Sequence, residues 1–310
     1  LTAAATAGWS LTRARQTAQM HQAVKDQARA AVAALSFELS ASTLRRMEEL
    51  AKHPTLWNCL VSSQAETADA ASTQMQGAAV AFDADLVYLM DAEGTVRACG
   101  RGLEPISLIG KNYAFRPYFK DARAGQTVSY PALGVTTSKL GLYLSAPVRD
   151  PNGRQVTGVL VVKMGMQHLG AHLRSFSLPA ALLSEDSVVL ATNRPGLTGA
   201  AIRELPDETR SMMRASKQFG PDGPKELGWI ISTDSVVDGD ARRPSALWPV
   251  EGTSFSLLVW SDLPTAWWPP ILAAGLCLLG VLLGWRVAGL AARHRLAQRR
   301  LQLLGQVLEH

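Results

Sequence analysis

From residue 10 to residue 52 the chain runs without Pro or Gly, and its apolar positions recur every three or four residues. Met20, Val24, Ala28, Ala31, Leu35 and Leu39 fall on one helical face. Pro54 marks the stop. At ~1.5 Å per residue such a helix is about 65 Å long, too long for the inside of a compact domain, and it reads as a stalk. A second helix is expected over residues 64–81. The period then drops to two. Residues 86–90 and 95–98 read as strands around the turn Asp91-Ala92-Glu93-Gly94. A short helix follows at 117–124, then strands at 141–148 and 156–166 joined by Asp150-Pro151-Asn152-Gly153, and a helix at 167–175.

A shorter copy of this pattern comes next, with a strand at 187–192, a helix at 204–217 and strands at 227–232 and 254–261. Two consecutive units of strands with helical inserts make an α+β expectation of the sensor kind. The second unit has fewer distinctive polar residues and reads as a spacer or transmission domain.

One further segment breaks the pattern. Residues 266–285, AWWPPILAAGLCLLGVLLGW, carry no charge over 20 residues, about the length that spans a bilayer core. Trp267, Trp268 and Trp285 stand at its ends as interfacial anchors do, and Pro269 and Pro270 fall in the first turn, where missing N–H groups cost little. The charge map agrees. The chain has 310 residues and a net charge of +5, yet residues 286–310 alone hold +4 and the rest only +1. Arginines just past a span mark its cytoplasmic side, so the basic balance reports topology. It does not support a nucleic-acid partner.

The expected layout is therefore residues 1–54, the end of a first membrane segment and a stalk helix; 55–176, a membrane-distal domain; 177–264, a membrane-proximal domain; 265–286, a transmembrane helix; and 287–310, the start of a cytoplasmic signalling helix. The start without Met, LTAAATAGWSL, reads as a cut just after or within a first membrane helix. Val287, Leu290, Leu296, Leu301, Leu303, Leu304 and Val307 read as a coiled coil, which implies a homodimer. Leu308-Glu309-His310 is either the remains of a tag or the entry to a further domain. At 47% hydrophobic the chain is no disordered segment, and three Cys make no disulfide framework. Cys59 and Cys99 can pair in an oxidising compartment; Cys277 falls in the span and reads as inert.

No Gly-rich phosphate loop, no Gly-x-Ser-x-Gly elbow and no His/Cys cluster at metal spacing is present, so neither catalysis nor a metal or cofactor is expected. His168 and His172 are four apart on a helix but lack a third ligand, and read as surface residues. The dense polar segment is 110–148 with 158–166. It combines Tyr113, Arg116, Tyr118, Tyr130, Thr136, Thr137, Tyr143, Ser145 and Lys163. Arg offers a planar fork matched to carboxylate, and hydroxyls add oriented hydrogen bonds in a small pocket. Lys163 interrupts a strand of Val, Leu and Met, a costly place unless it meets an anion or reaches solvent; alternation puts it on one face with Val161 and Gly165. Two separated cations suit a ligand with two negative ends. The plainer readings are a surface ion pair with Asp121 or a loop clamp for Arg116, a solvent-facing edge position for Lys163, and packing for Tyr130.

The run NYAFRPYF (112–119), then YPALGVTTSKLGLYLSAPV (130–148), then GVLVVK (158–163) resembles the membrane-distal sensor module of bacterial C4-dicarboxylate sensor histidine kinases. That family has tandem PAS-like (double Cache) periplasmic domains between two transmembrane helices. The resemblance is strongest over residues 105–166. It implies that Tyr113, Arg116, Tyr143, Ser145, Lys163 and a hydroxyl from Thr136, Thr137 or Ser138 hold the carboxylates of a small organic acid. The family pattern has Ser after the first Thr, where this chain has Thr137 and Ser138. Similar amino-acid sensors use an acidic residue at the last strand; here Lys163 stands there, which implies an anion without an amine. The implied protein is a receptor of the bacterial inner membrane with residues 1–264 in the periplasm and 287–310 in the cytoplasm, and the chain itself is not an enzyme. A chemoreceptor, a diguanylate cyclase or a periplasmic protein-interaction module are the other readings.

Overall fold

Helix-forming residues dominate the first quarter of the chain, and in the computed structural model they form α1 (Thr2–Glu38), α2 (Ala41–Ala51), α3 (Pro54–Val61) and α4 (Ala65–Ala81). The structure describes residues 2–38, 41–103 and 106–262. Pro54 does more than stop a helix. It opens α3 at its first turn, where no N–H is needed, and the His53 imidazole caps that end by accepting from the Thr55 N–H at 3.3 Å.

The first sheet comprises β1 (Leu86–Asp91), β2 (Val96–Arg101), β3 (Val128–Leu133), β4 (Leu140–Arg149) and β5 (Val156–Gly165), with α5 (Pro117–Arg123) inserted between β2 and β3. Its order is β2-β1-β5-β4-β3, antiparallel throughout. β3 lies at an edge and contains Pro131, which an edge tolerates because no ladder bond is lost there. Helix α6 (Met166–Arg174) leads to the second sheet, which holds β6 (Ala180–Leu183), β7 (Val189–Thr192), β8 (Ile230–Ile231), β9 (Ser235–Asp238), β10 (Ala241–Pro249) and β11 (Ser256–Trp260). Helix α7 (Asp207–Ser216) is inserted after β7, and the sheet order is β7-β6-β11-β10-β9-β8.

Strand alternation sorts the first sheet into two faces. Val87, Leu89, Leu142, Leu144, Ala146, Leu160 and Val162 face α2, α3 and α4, meeting Met47, Leu56 and Met75. This core is continuous with Leu182, Leu257 and Val259 of the second sheet and with Val24, Ala28, Ala31 and Leu35 of α1. The opposite face carries Leu86, Tyr88, Met90, Tyr143, Val159 and Val161, covered by Tyr118, Phe119 and Ala122 of α5.

The arrangement corrects the expected one. The described residues form a mixed α and β fold with seven helices and two antiparallel sheets in one unit, not a stalk leading into tandem domains and a membrane helix. The helical face of residues 20–35 was legible, but α1 is no free stalk. Its small side chains lie directly on β10 and β11, where Val24, Ala28, Ala31 and Leu35 are all buried. Among the described residues no helix is long and apolar enough to cross a membrane. The apolar run 266–285 and the coiled-coil segment after it lie outside the described residues. Cys59 and Cys99 are both free, buried thiols, and burial pushes each thiol above its ordinary range.

Candidate functional site

Register builds the site. Leu86 of β1 pairs with Lys163 of β5, Lys163 with Tyr143 of β4, and Tyr143 with Tyr130 of β3, so four side chains form a row across the sheet. The next row on the same face is Tyr88, Val161, Ser145 and Val128. Above these rows sits α5. Its Pro117 occupies the first turn and the residue before it, Arg116, is held extended at φ −75° and ψ 135°, as a residue preceding Pro prefers.

Arg116 is 1% exposed. Its guanidinium donates to the carbonyl oxygens of Leu133 at 2.6 Å, Lys217 at 3.1 Å and Ser216 at 3.2 Å. The loop-clamp reading is thus the one observed: Arg116 ties the start of α5 to the end of β3 and to the end of α7. The Phe115 ring lies 5.3 Å from the guanidinium carbon.

Lys163 is 1% exposed on a central strand, so the solvent-facing reading fails. The expectation that a buried Lys meets an anion is met by Asp85, whose Oδ2 is 3.1 Å from the ammonium. Thr137 Oγ1 accepts a second bond from the same ammonium at 3.1 Å. Asp85 went unrecognised in the sequence, because its partner is 78 positions away and is reached only through the β1–β5 register.

The tyrosines form a connected group. Tyr88 and Tyr118 share a hydrogen bond between hydroxyls at 2.9 Å, and Tyr113 shares one with Thr136 at 2.9 Å. The Tyr118 and Tyr143 rings stack at 5.1 Å with planes 7° apart, and Tyr130 packs on Tyr118 at 6.0 Å, the packing role expected for it. Burial pushes the hydroxyls of Tyr88, Tyr118, Tyr143, Tyr113 and Tyr130 above the ordinary tyrosine value, so they stay neutral O–H donors.

Tyr113, Arg116, Tyr118, Thr136, Thr137, Tyr143 and Lys163 all line one pocket, joined there by Leu86, Tyr88, Leu108, Gly134 and Val135. Ser145 does not line it. Its hydroxyl is fully buried and donates to the Tyr118 carbonyl at 2.9 Å, which fixes α5 on the sheet. The room left for a water-sized sphere is about 20 Å³, enough for one water. A tight turn over residues 134–139 closes the pocket, with Gly134 and Lys139 joined at 3.0 Å and Ser138 bonded back to Gly134 at 2.7 Å. Gly134 is needed there: a Cβ at this position would stand 2.2 Å from Thr137 Oγ1 and 2.8 Å from the Tyr143 hydroxyl. Tyr88 was missed because it lies outside the polar segment, although its even position in β1 puts it on the site's face.

No family model matches the chain. It is 28% identical over 242 residues to the C4-dicarboxylate transport sensor protein DctB of Rhizobium meliloti, covering 70% of this chain and 39% of that protein. The chain thus spans about two fifths of that relative's length. The sensor domain of the histidine kinase DctB from V. cholerae superposes with a TM-score of 0.66 at 23% identity, covering 78% of this chain and 98% of that one. The ligand-binding domain of the Campylobacter jejuni chemoreceptor Tlp3, in complex with L-valine, superposes with a TM-score of 0.55 at 14% identity, covering 81% and 96%.

Proposed function

We propose that this chain, a homologue of the C4-dicarboxylate transport sensor proteins with a Cache-type fold, is the ligand-sensing part of a bacterial sensor histidine kinase. In this reading it is a periplasmic segment of an inner-membrane protein, acts in a homodimer, and takes a small carboxylate of the C4-dicarboxylate kind. One observation carries the ligand class. Two buried cations, Arg116 and Lys163, line a single pocket together with neutral hydroxyls from Tyr113, Tyr118, Thr136, Thr137 and Tyr143. Fixed cations and O–H donors in a site shielded from water are what a carboxylate needs in exchange for its hydration.

The way the signal leaves the pocket follows from the Arg116 bonds. A ligand carboxylate at Arg116 competes with three backbone carbonyls, two of which belong to the end of α7. Entry of anything larger than a water also moves the 134–139 turn. Binding therefore selects an arrangement in which the turn stands further from the sheet to cover the ligand and the α7 end is held differently. Its reach is limited to the ligand's difference in affinity between the two arrangements.

A thermal-shift series with succinate, malate, fumarate, acetate and L-valine tests this. A concentration-dependent rise with the diacids is expected, following mass action. A rise with L-valine alone, or none with any organic acid, overturns the proposal.

A further inference from the structure

We infer that Asp85 is a specificity-determining residue of this pocket: it sets what a second carboxylate on the ligand gains at Lys163. The inference rests on the carboxylate-sensing reading above and adds to it the charge that the site accepts.

Asp85 is pinned from both sides. Its backbone N–H donates to the Lys163 carbonyl at 2.8 Å and its own carbonyl accepts from Gly102 at 3.0 Å. Its carboxylate side chain is 2% exposed, with Oδ2 3.1 Å from the Lys163 ammonium. The other oxygen, Oδ1, is buried without a hydrogen-bond partner among the described residues. Gly165 leaves it room; a Cβ there would stand 3.0 Å from Oδ1 and 3.1 Å from Oδ2, a tight contact. The carboxylate therefore cannot swing to other partners without giving up the one strong bond it has.

The charges follow from these contacts. Among the described residues, the charged side chains lining the pocket are Arg116 and Lys163, and Asp85 stands against the second of them. Together they leave one net positive charge in a site screened from water. A ligand with one carboxylate balances that charge. A second carboxylate meets an ammonium already bonded to Asp85 and Thr137, with one N–H remaining. It also enters the field of a buried carboxylate, which repels it strongly at low dielectric. Lys163 alone suggests a site for dianions; the Lys163–Asp85 pair favours a ligand whose bound form carries a single net charge.

The test is calorimetric titration of succinate and of monomethyl succinate, which share the four-carbon chain and differ by one charge and one methyl group, on the wild-type protein and on Asp85→Asn. On the wild type the two dissociation constants are expected within about tenfold of each other. A full charge-assisted bond at a free ammonium is worth roughly tenfold or more, so a preference for succinate beyond that overturns the inference without recourse to any variant. On Asp85→Asn, which keeps the shape and removes the charge, the preference for succinate over the monoester is expected to grow by about tenfold, with monoester affinity little changed. An unchanged ratio in a variant that melts cooperatively overturns the inference and leaves the carboxylate reading standing. If neither compound binds either protein, both fall. Binding of succinate to Asp85→Asn alone supports the inference.

Discussion

The guanidinium of Arg116 and the backbone carbonyl of Lys217 are 3.1 Å apart, a bond that joins the start of α5 to the turn ending α7. Lys217 sits at φ 52° in the left-handed region, which turns its carbonyl away from the helix. The neighbouring bonds make the same connection: Leu133 N–H to the Gln218 carbonyl at 2.7 Å, and the Gln218 amide to the Pro131 carbonyl at 3.0 Å. Arg116→Ala leaves three carbonyls without their donor and is expected to cost about 3 kcal/mol of unfolding free energy. Arg116→Lys is expected to recover only part, because an ammonium does not reproduce the planar fork. Denaturant unfolding measures both; an Arg116→Ala variant as stable as the wild type contradicts the clamp.

The Tyr88–Tyr118 hydroxyl pair predicts a non-additive pair of substitutions. Either Tyr→Phe alone strands a buried hydroxyl and is expected to cost about 1–2 kcal/mol. The double Tyr88→Phe/Tyr118→Phe variant removes both groups and is expected to cost less than the sum of the singles. A double-mutant cycle by denaturant unfolding reads the coupling, and strictly additive losses rule it out.

Alkaline pH acts on the same tyrosines. Burial raises their folded pKa above that of the unfolded chain, which ionises at about 10. The unfolded state therefore releases protons first, and stability falls as pH rises through that value. Tyrosinate absorbance is expected to appear together with loss of the fold. Its appearance in a protein that is still folded contradicts the burial described.

Acid acts elsewhere. Glu226 accepts from Arg210 at 2.7 and 3.1 Å and from the Leu205 N–H at 3.1 Å, and these bonds, the Arg210 bonds first, hold its carboxyl below the usual range. A lowered folded pKa contributes stability above the unfolded value, lost as pH falls through the carboxylate range. Glu226→Gln is expected to lower the melting temperature at neutral pH and to have little effect near pH 3. Equal losses at both pH values contradict the assignment.

The first sheet was largely legible because its strands are short apolar runs bounded by turn residues, Asp91 to Gly94 and Asp150 to Gly153. The 86–90 and 156–166 expectations became Leu86–Asp91 and Val156–Gly165. β3 was hidden by Pro131, which is tolerable only at the edge that the topology provides. β10 was hidden in the same way by Arg242, Arg243 and Pro244, which interrupt any apolar run. Lys163 pointed to an anion or to solvent because a lone cation in an apolar strand needs one or the other. Which anion was not legible, since the Asp85 contact exists only once β1 and β5 are neighbours. For α1, helical periodicity revealed an apolar face but not its partner, and length alone suggested a stalk where burial against β10 and β11 exists.

The most direct measurement of the central claim is calorimetric titration of the wild-type protein and of Arg116→Lys with succinate. One saturable site per chain on the wild type, weakened at least tenfold in Arg116→Lys while the fold is retained, is the predicted result. A flat wild-type titration, or equal affinity in the two proteins, contradicts it.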